Sequence, residues 1–200
     1  MKKKGFTIKV VEAAPVLFSA VNMAALGFAR EESQALSEDV ASHLASGEIV
    51  RMIFVNDLEA GFAIFAIYDD ILYLSGIILL PEYQGNGIAA LVINKVFELY
   101  PECSYLSLRT QSLRMYLAAS RLCKDFYPKL NGEEIPESFA VRGSVVAKVI
   151  NSQFPLHLGC YNGPLYGEKP VYKDMALQNT WDNYCNFERG DAIIFVGAVR

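Results

Sequence analysis

The stretch Leu79-Leu80-Pro81-Glu82-Tyr83-Gln84-Gly85-Asn86-Gly87-Ile88-Ala89-Ala90-Leu91-Val92-Ile93 decides how this chain is read. It begins at the end of residues 71–80 (ILYLSGIILL), an almost unbroken apolar run that predicts a strand covered on both faces of a sheet. It ends in a segment where Ala89, Val92, Ile93, Val96, Phe97 and Tyr100 recur at helical spacing, which predicts a helix with one buried face. Between the two lie Gly85 and Gly87. Glycine reaches positive φ and has no Cβ, so successive backbone N–H groups can point into one concavity. The following helix adds its unpaired first N–H groups and the positive end of its dipole. An anion site built in this way needs few lysines. A plain chain reversal is the other reading of the same glycines, and an isolated G-x-G does not separate the two.

Upstream, Phe6, Ile8 and Val10 alternate with Thr7 and Lys9 and predict a strand over residues 6–11. A helix opened by Pro15 and ending near Ala29 follows. Ser37 is the expected N-cap of a second helix, with Glu38 and Asp39 in its first turn and Gly47 closing it. Residues 49–55 and 62–68 read as strands joined through Asn56-Asp57 and Gly61, and Asp69-Asp70 makes the next turn. Downstream, 104–110 (SYLSLRT) is a strand and 112–126 (SLRMYLAASRLCKDF) a helix. Residues 136–150 suggest a helix with Val141, Val145 and Val149 on one face. A loop rich in Gly, Pro and Tyr at 159–170, a short helix at 175–186 and a closing strand at 191–199 complete the chain. The order predicts an α/β (α+β) fold, a mixed central sheet with helices on both faces. With no internal repeat and no linker, a single domain with an extended C-terminal region is expected.

Composition narrows the ligands. The 200 residues are 52% hydrophobic and 20% charged, which excludes disordered, collagen-like and low-complexity architectures. A formal net charge of −4 provides no global basic field for nucleic acid or an anionic membrane, so a polyanionic ligand must be held by a local device. The four cysteines, Cys103, Cys123, Cys160 and Cys185, form no C-x-x-C pair, and with His43 and His157 they complete no zinc set, so no metal is expected. Reduced, mostly buried thiols in a cytoplasmic protein are the expected state. The uncharged run 13–29 behind a basic start mimics a secretory signal, but Lys9 and Glu12 precede it and Pro15 and Asn22 interrupt it. The run is also short for a bilayer span.

Gly85-Asn86-Gly87-Ile88-Ala89-Ala90 formally fits the dinucleotide fingerprint G-x-G-x-x-G/A. That fingerprint needs the strand to enter the first glycine almost directly, whereas Pro81-Glu82-Tyr83-Gln84 intervene. Arg109 stands where an acidic ribose partner is expected, an arrangement open only to a 2′-phosphate. The segment 79–93 instead resembles motif A of the GNAT N-acetyltransferase superfamily, Gln/Arg-x-x-Gly-x-Gly/Ala, with Gln84, Gly87 and Ala89 at the three positions. Pro81-Glu82-Tyr83 matches the usual lead-in, and the preceding order strand–helix–helix–strand–strand–strand is that of the superfamily. The resemblance covers residues 6–128 and leaves 129–200 as a divergent C-terminal extension completing a GNAT-like sheet.

The resemblance implies acetyl-CoA as co-substrate and an amine as acceptor, a small molecule or a peptide. A second copy of the chain is a further candidate partner. It places the CoA pyrophosphate on the backbone N–H groups of Gln84, Gly85, Asn86, Gly87, Ile88 and Ala89, and pantetheine beside strands 71–80 and 104–110. It gives the thioester carbonyl a backbone N–H near Ile78 or Leu80, and leaves Gln111 and Ser112 to hydrogen-bond pantetheine amides. The strand carboxylate that often takes the amine proton is missing: Leu72-Tyr73-Leu74-Ser75 holds no acid, and Tyr73 or Ser75 is left to order a water. In the next helix the usual pattern ends in a tyrosine that protonates the sulfur. Counted from the strand end, Ala119 stands there, with Tyr116 nearly one turn earlier. A later register puts Tyr127 in that role, followed by Pro128-Lys129-Leu130. Both tyrosines have packing as their alternative role. The long region after 125 includes Tyr161–Tyr166, a candidate lid or acceptor wall, or else a packing or dimer contact. An acyltransferase and a binding protein that senses acyl-CoA without turnover both remain open on this reading.

Overall fold

The computed structural model describes residues 7–46 and 48–199; Phe6 and Gly47, expected to start a strand and close a helix, lie outside them. The chain divides into two compact units, Met1–Ala66 with Ser75–Tyr100, and Ile67–Leu74 with Pro101–Arg200.

The first unit holds β1 (Ile8–Glu12), α1 (Leu17–Phe28), α2 (Gln34–Ser46), β2 (Ile49–Val55), most of β3 (Leu58–Tyr68), the second half of β4 (Ile71–Leu79) and α3 (Ile88–Leu99). Its strands run in the order β1-β2-β3-β4, with β1, β2 and β3 antiparallel. Alternation along β2 sends Val50, Met52 and Phe54 against Ala20, Val21, Met23 and Ala24 of α1 and Leu36 and Val40 of α2. The other face carries Arg51, whose Nη2 donates to the Tyr100 hydroxyl (3.0 Å) just after α3. Helices therefore cover both faces. Within the run that mimics a signal, Ala20, Val21, Met23, Ala24 and Ala25 form the buried face of α1 while Val16, Leu17, Phe18 and Leu26 are exposed. No helix among the described residues is long and apolar enough to cross a membrane.

The second unit holds the first half of β4, β5 (Tyr105–Thr110), α4 (Leu113–Ser120), β6 (Cys123–Tyr127), α5 (Glu137–Val149), β7 (Leu156–His157), α6 (Met175–Tyr184) and β8 (Ala192–Val199). Its order is β4-β5-β8-β6, with β7 also on β8. β4 and β5 are parallel and every pair made by β8 is antiparallel, so the sheet is mixed. The long connection carrying α3 permits the parallel pair. Phe195 packs with Tyr116 of α4 and Phe126 on one face. Its neighbour Val196 packs with Tyr127 and Phe139 of α5 on the other. This unit too is covered on both sides.

Three local expectations are corrected, and the buried face of α5 is not the valine stripe. The helix expected over 112–126 stops at Ser120, and Cys123–Tyr127 is a strand paired with β8. Phe126 and Tyr127 alternate across that strand, which a helix would not allow, and pairing satisfies backbone groups along β8. The second helix starts at Gln34 rather than at a Ser37 cap, because Ser33 Oγ accepts from the Leu36 N–H (3.2 Å). Gly61 lies inside β3, and the β2–β3 turn is Asn56-Asp57 alone, both at positive φ (51° and 66°) as a tight hairpin requires. In α5 the buried face is Phe139, Gly143, Val146 and Ala147, while Val141 and Val149 are exposed. Gly143 sets that face, since a Cβ there would lie 2.4 Å from the Phe154 ring.

Candidate functional site

The glycine loop of the first unit follows a 3₁₀ turn, Pro81–Tyr83, that separates it from β4. Gln84 pins the loop: its Nε2 donates to the carbonyls of Gly27, at the end of α1, and of Leu79, at the end of β4, each at 2.9 Å. The Asn86 amide donates to the Gln84 carbonyl (3.1 Å). Gly85 and Gly87 stand at φ +74° and +77°, and a Cβ at either would meet nothing within 4 Å. Both glycines thus serve backbone conformation, with the space above the loop left open. Gly87 caps α3 with no side chain on the cap, and the first N–H returned to the helix is that of Leu91, to the Gly87 carbonyl (3.3 Å). Among the described residues no protein group accepts from the N–H groups of residues 85–90. Gln84, Gly85, Asn86 and Gly87 are exposed, Ile88 is buried as the first core position of the helix, and Ala89 is half-buried. The arrangement is a backbone concavity at the positive end of a helix of 12 residues, suited to an anion.

Of the two backbone donors expected on the preceding strand, the Leu80 N–H already donates to the Ala60 carbonyl (2.9 Å). The Ile78 side chain is buried in the core beneath α1.

In the second unit the expected pantetheine contacts are engaged within the protein. Gln111 is 3% exposed; its Nε2 donates to the Phe187 carbonyl (3.0 Å) and its Oε1 accepts from the Leu165 N–H (2.9 Å). Ser112 caps α4 by accepting from the Met115 N–H (3.3 Å), and its side chain also hydrogen-bonds Tyr166. Together they fasten the 159–170 loop. Tyr116 is 2% exposed, ringed by Trp181, Phe126 and Phe195, and donates to the Pro128 carbonyl at 2.6 Å. Burial pushes its phenol above the ordinary range. Tyr127 lies on the opposite face of the sheet and donates to Glu133 Oε1 (2.8 Å); that bond, then burial, push it up to about 12. The structure does not bring Tyr116 and Tyr127 together. Tyr73 packs against Tyr68, with ring centroids 5.7 Å apart, and burial raises it to about 12 against the pull of Arg109. Ser75 is half-buried.

Sequence reading missed the polar framework of the C-terminal region. Asp191, fully buried, accepts from Arg189 Nη2 (2.6 Å) and Nε (2.7 Å) and from the N–H groups of Gly159 (2.9 Å) and Asn186 (3.1 Å). The Arg189 guanidinium, ahead of the backbone donors, holds its carboxyl below the usual range. It also missed the surroundings of Arg109, which lies over the Tyr161 ring at 5.3 Å. The only signal was position, an arginine on the sheet face shared with Tyr105 and Ser107, where an apolar residue is the ordinary choice.

Residues 20–119 match the family model described as the acetyltransferase (GNAT) family. Among solved structures the chain is similar to the ribosomal-protein-S18-alanine N-acetyltransferase of Escherichia coli, at 15% identity and a TM-score of 0.57, over 96% of this chain and 94% of that one. It is also similar to a GNAT family acetyltransferase of Elizabethkingia anophelis solved with acetyl-CoA bound, at 14% identity, TM-score 0.47, over 98% and 100%. A third is N-acetylglutamate synthase of Neisseria gonorrhoeae, complexed with coenzyme A and N-acetyl-glutamate, at 12% identity, TM-score 0.48, over 98% and 36%. No curated protein matches the chain closely enough to count as a relative. At such identities the likeness is one of fold, and the Escherichia coli structure carries it.

Proposed function

The chain belongs to the GNAT acetyltransferase family, and from that premise we propose that it transfers an acetyl group from acetyl-CoA to an amine. The observation that carries the reading is the glycine loop, with two left-handed glycines, a run of N–H groups without protein acceptors among the described residues and the Gln84 side chain tying it to the ends of α1 and β4. Residues 84–89 would hold the CoA pyrophosphate through backbone donors, which suits a chain of net charge −4. In the reaction the amine nitrogen bonds to the thioester carbonyl carbon, the C–S bond breaks, the nitrogen loses a proton and the thiolate gains one. The protein's contribution is chiefly orientation and exclusion of water, because β4 (ILYLSGIIL) carries no carboxylate to act as base. The Ile78 N–H is the proposed donor to the carbonyl, and the tyrosines Tyr73, Tyr116 and Tyr127 are the candidates for ordering or donating protons.

A second reading is favoured by the hydroxyl partners. Tyr116 and Tyr127 donate to Pro128 and Glu133. A family member whose candidate acids are engaged in this way would bind acyl-CoA without turnover. Equilibrium binding of acetyl-CoA together with acceptor-dependent thiol release over an amine panel decides between them. Binding with thiol release establishes the acetyltransferase. Binding without release establishes the acyl-CoA-binding protein, and no binding removes both.

A further inference from the structure

Among the described residues, the second unit contains a partly buried cation with no carboxylate to neutralise it. Arg109, near the end of β5, is half-buried, and among the described residues it pairs with no Asp or Glu. The other arginines in ion pairs do: Arg51 with Glu12, Arg142 with Asp70 and Arg189 with Asp191. Around Arg109 stand Tyr161, whose ring it overlies at 5.3 Å, with Tyr73, Cys160 and His157. Burial holds the two phenols and the thiol protonated and the imidazole neutral, and Arg109 itself pushes His157 the same way. Among the described residues the acid that also faces His157 and Cys160 is Asp191, whose oxygens are taken by Arg189, Gly159 and Asn186. The niche therefore carries a single uncompensated positive charge among neutral, mainly aromatic walls. Withdrawing a guanidinium from water without a counter-charge is unfavourable, and a tyrosine face recovers only part of that cost.

We infer that the niche formed by Arg109, Tyr161 and Tyr73 is a binding site for the carboxylate group of a small molecule. A guanidinium fork matches a carboxylate with two parallel hydrogen bonds, and one cation balances one negative charge. A phosphate dianion would need a second cation, and among the described residues none faces the niche. The aromatic walls suit an apolar or aromatic portion next to the carboxylate. The site stands on the second unit alone. That the carboxylate belongs to the acceptor rests on the acetyltransferase reading, which makes the substrate an amine that also bears a carboxylate, as an amino acid or a peptide C-terminus does.

The test uses the full chain with a panel of L-amino acids and the amines left when their carboxylates are removed. An arginine-selective dicarbonyl labels wild-type protein with and without each compound, and mass spectrometry reads modification of Arg109. The expected result is that at least one amino acid slows labelling of Arg109 about tenfold while its decarboxylated partner does not. Arg109→Lys, which keeps the charge and loses the fork, abolishes thermal stabilisation by that amino acid and leaves acetyl-CoA affinity unchanged. Arg109→Met is the second variant. If it fails to fold, wild-type labelling still decides the question. Equal protection by acid and amine, or none by any amino acid, overturns the site. Protection without thiol release sustains the carboxylate site and removes the acceptor assignment, so the two readings fail separately.

Discussion

The hydroxyl of Tyr116 donates to the carbonyl oxygen of Pro128 at 2.6 Å, from a ring packed among Trp181, Phe126 and Phe195. Pro128 begins the turn that leaves β6, so the bond ties α4 to the end of the strand that follows it. A phenol at this position serves the packing of the second unit whatever else it does. Burial raises its pKa, which weakens it as an acid toward a leaving thiolate.

Tyr116→Phe removes that donor and leaves the Pro128 carbonyl unsatisfied, with an expected loss of about 1–2 kcal/mol in stability. Removal of a general acid would lower turnover by about 10² or more. The expected change in acceptor-dependent thiol release is smaller than that. Denaturant melts and steady-state rates on the same preparation read both, and a fall of the larger size returns the acid role to Tyr116.

Gly87→Val places a β-branched residue at φ +77° with open space around its Cβ. The cost is backbone strain, about 1–3 kcal/mol, together with distortion of the N–H groups that face the proposed pyrophosphate. Acetyl-CoA affinity is expected to fall by tenfold or more, an estimate from losing one or two charge-assisted bonds. The circular dichroism spectrum should be retained. Collapse of the fold would make Gly87 a structural turn and nothing more.

Gly61→Ala meets a different obstacle. A Cβ there would lie 2.0 Å from the carbonyl oxygen of Ile78, a backbone atom in the adjoining strand. The strands must separate, so the expected destabilisation is about 3 kcal/mol or more, the upper range for overpacking. The Tm of Gly61→Ala should lie below that of Gly87→Val, and the reverse order would show that the strand junction yields easily.

Asp191 gives the fold a pH dependence with a defined sign. Arg189 first, and then the backbone donors, hold its carboxyl below the ordinary aspartate value of about 3.9. Its contribution is therefore complete above that value and is lost as pH falls through the lower folded value. Asp191→Asn removes the charge that pairs with Arg189, whose own side chain remains largely in water, so the expected result is a lower Tm at neutral pH. The gap in Tm between wild type and Asp191→Asn should narrow as the pH is taken below about 4. A gap that is constant with pH would refute the pairing.

Much of the architecture was legible because it is written in local pattern. The apolar run of β4, the helical recurrence through Val92, Ile93 and Val96, and the glycines between them depend on neighbours a few residues apart. Burial follows from that spacing, as the core positions of α3 show. The error over 112–126 has the opposite origin. Leu113–Ser120 and Cys123–Tyr127 are both amphipathic, and what makes the second a strand is pairing with β8, whose residues lie about seventy positions downstream. Likewise spacing puts Val141, Val145 and Val149 on one face of a helix, and only Phe154 pressed onto Gly143 turns α5 to bury Phe139 and Val146.

The sequence by itself determined that a strand, a glycine loop and a helix follow one another in the order that places backbone donors at a helix start. Glycine conformations and helix dipoles are local properties, so that much needs no tertiary contact. The tertiary structure alone decided which polar groups remain available. It closes Gln111 between Phe187 and Leu165, sets Tyr116 and Tyr127 on opposite faces, and leaves Arg109 without a carboxylate among the described residues. Each of these depends on groups distant in sequence competing for the same donor, acceptor or charge, a competition settled only when the chain is folded.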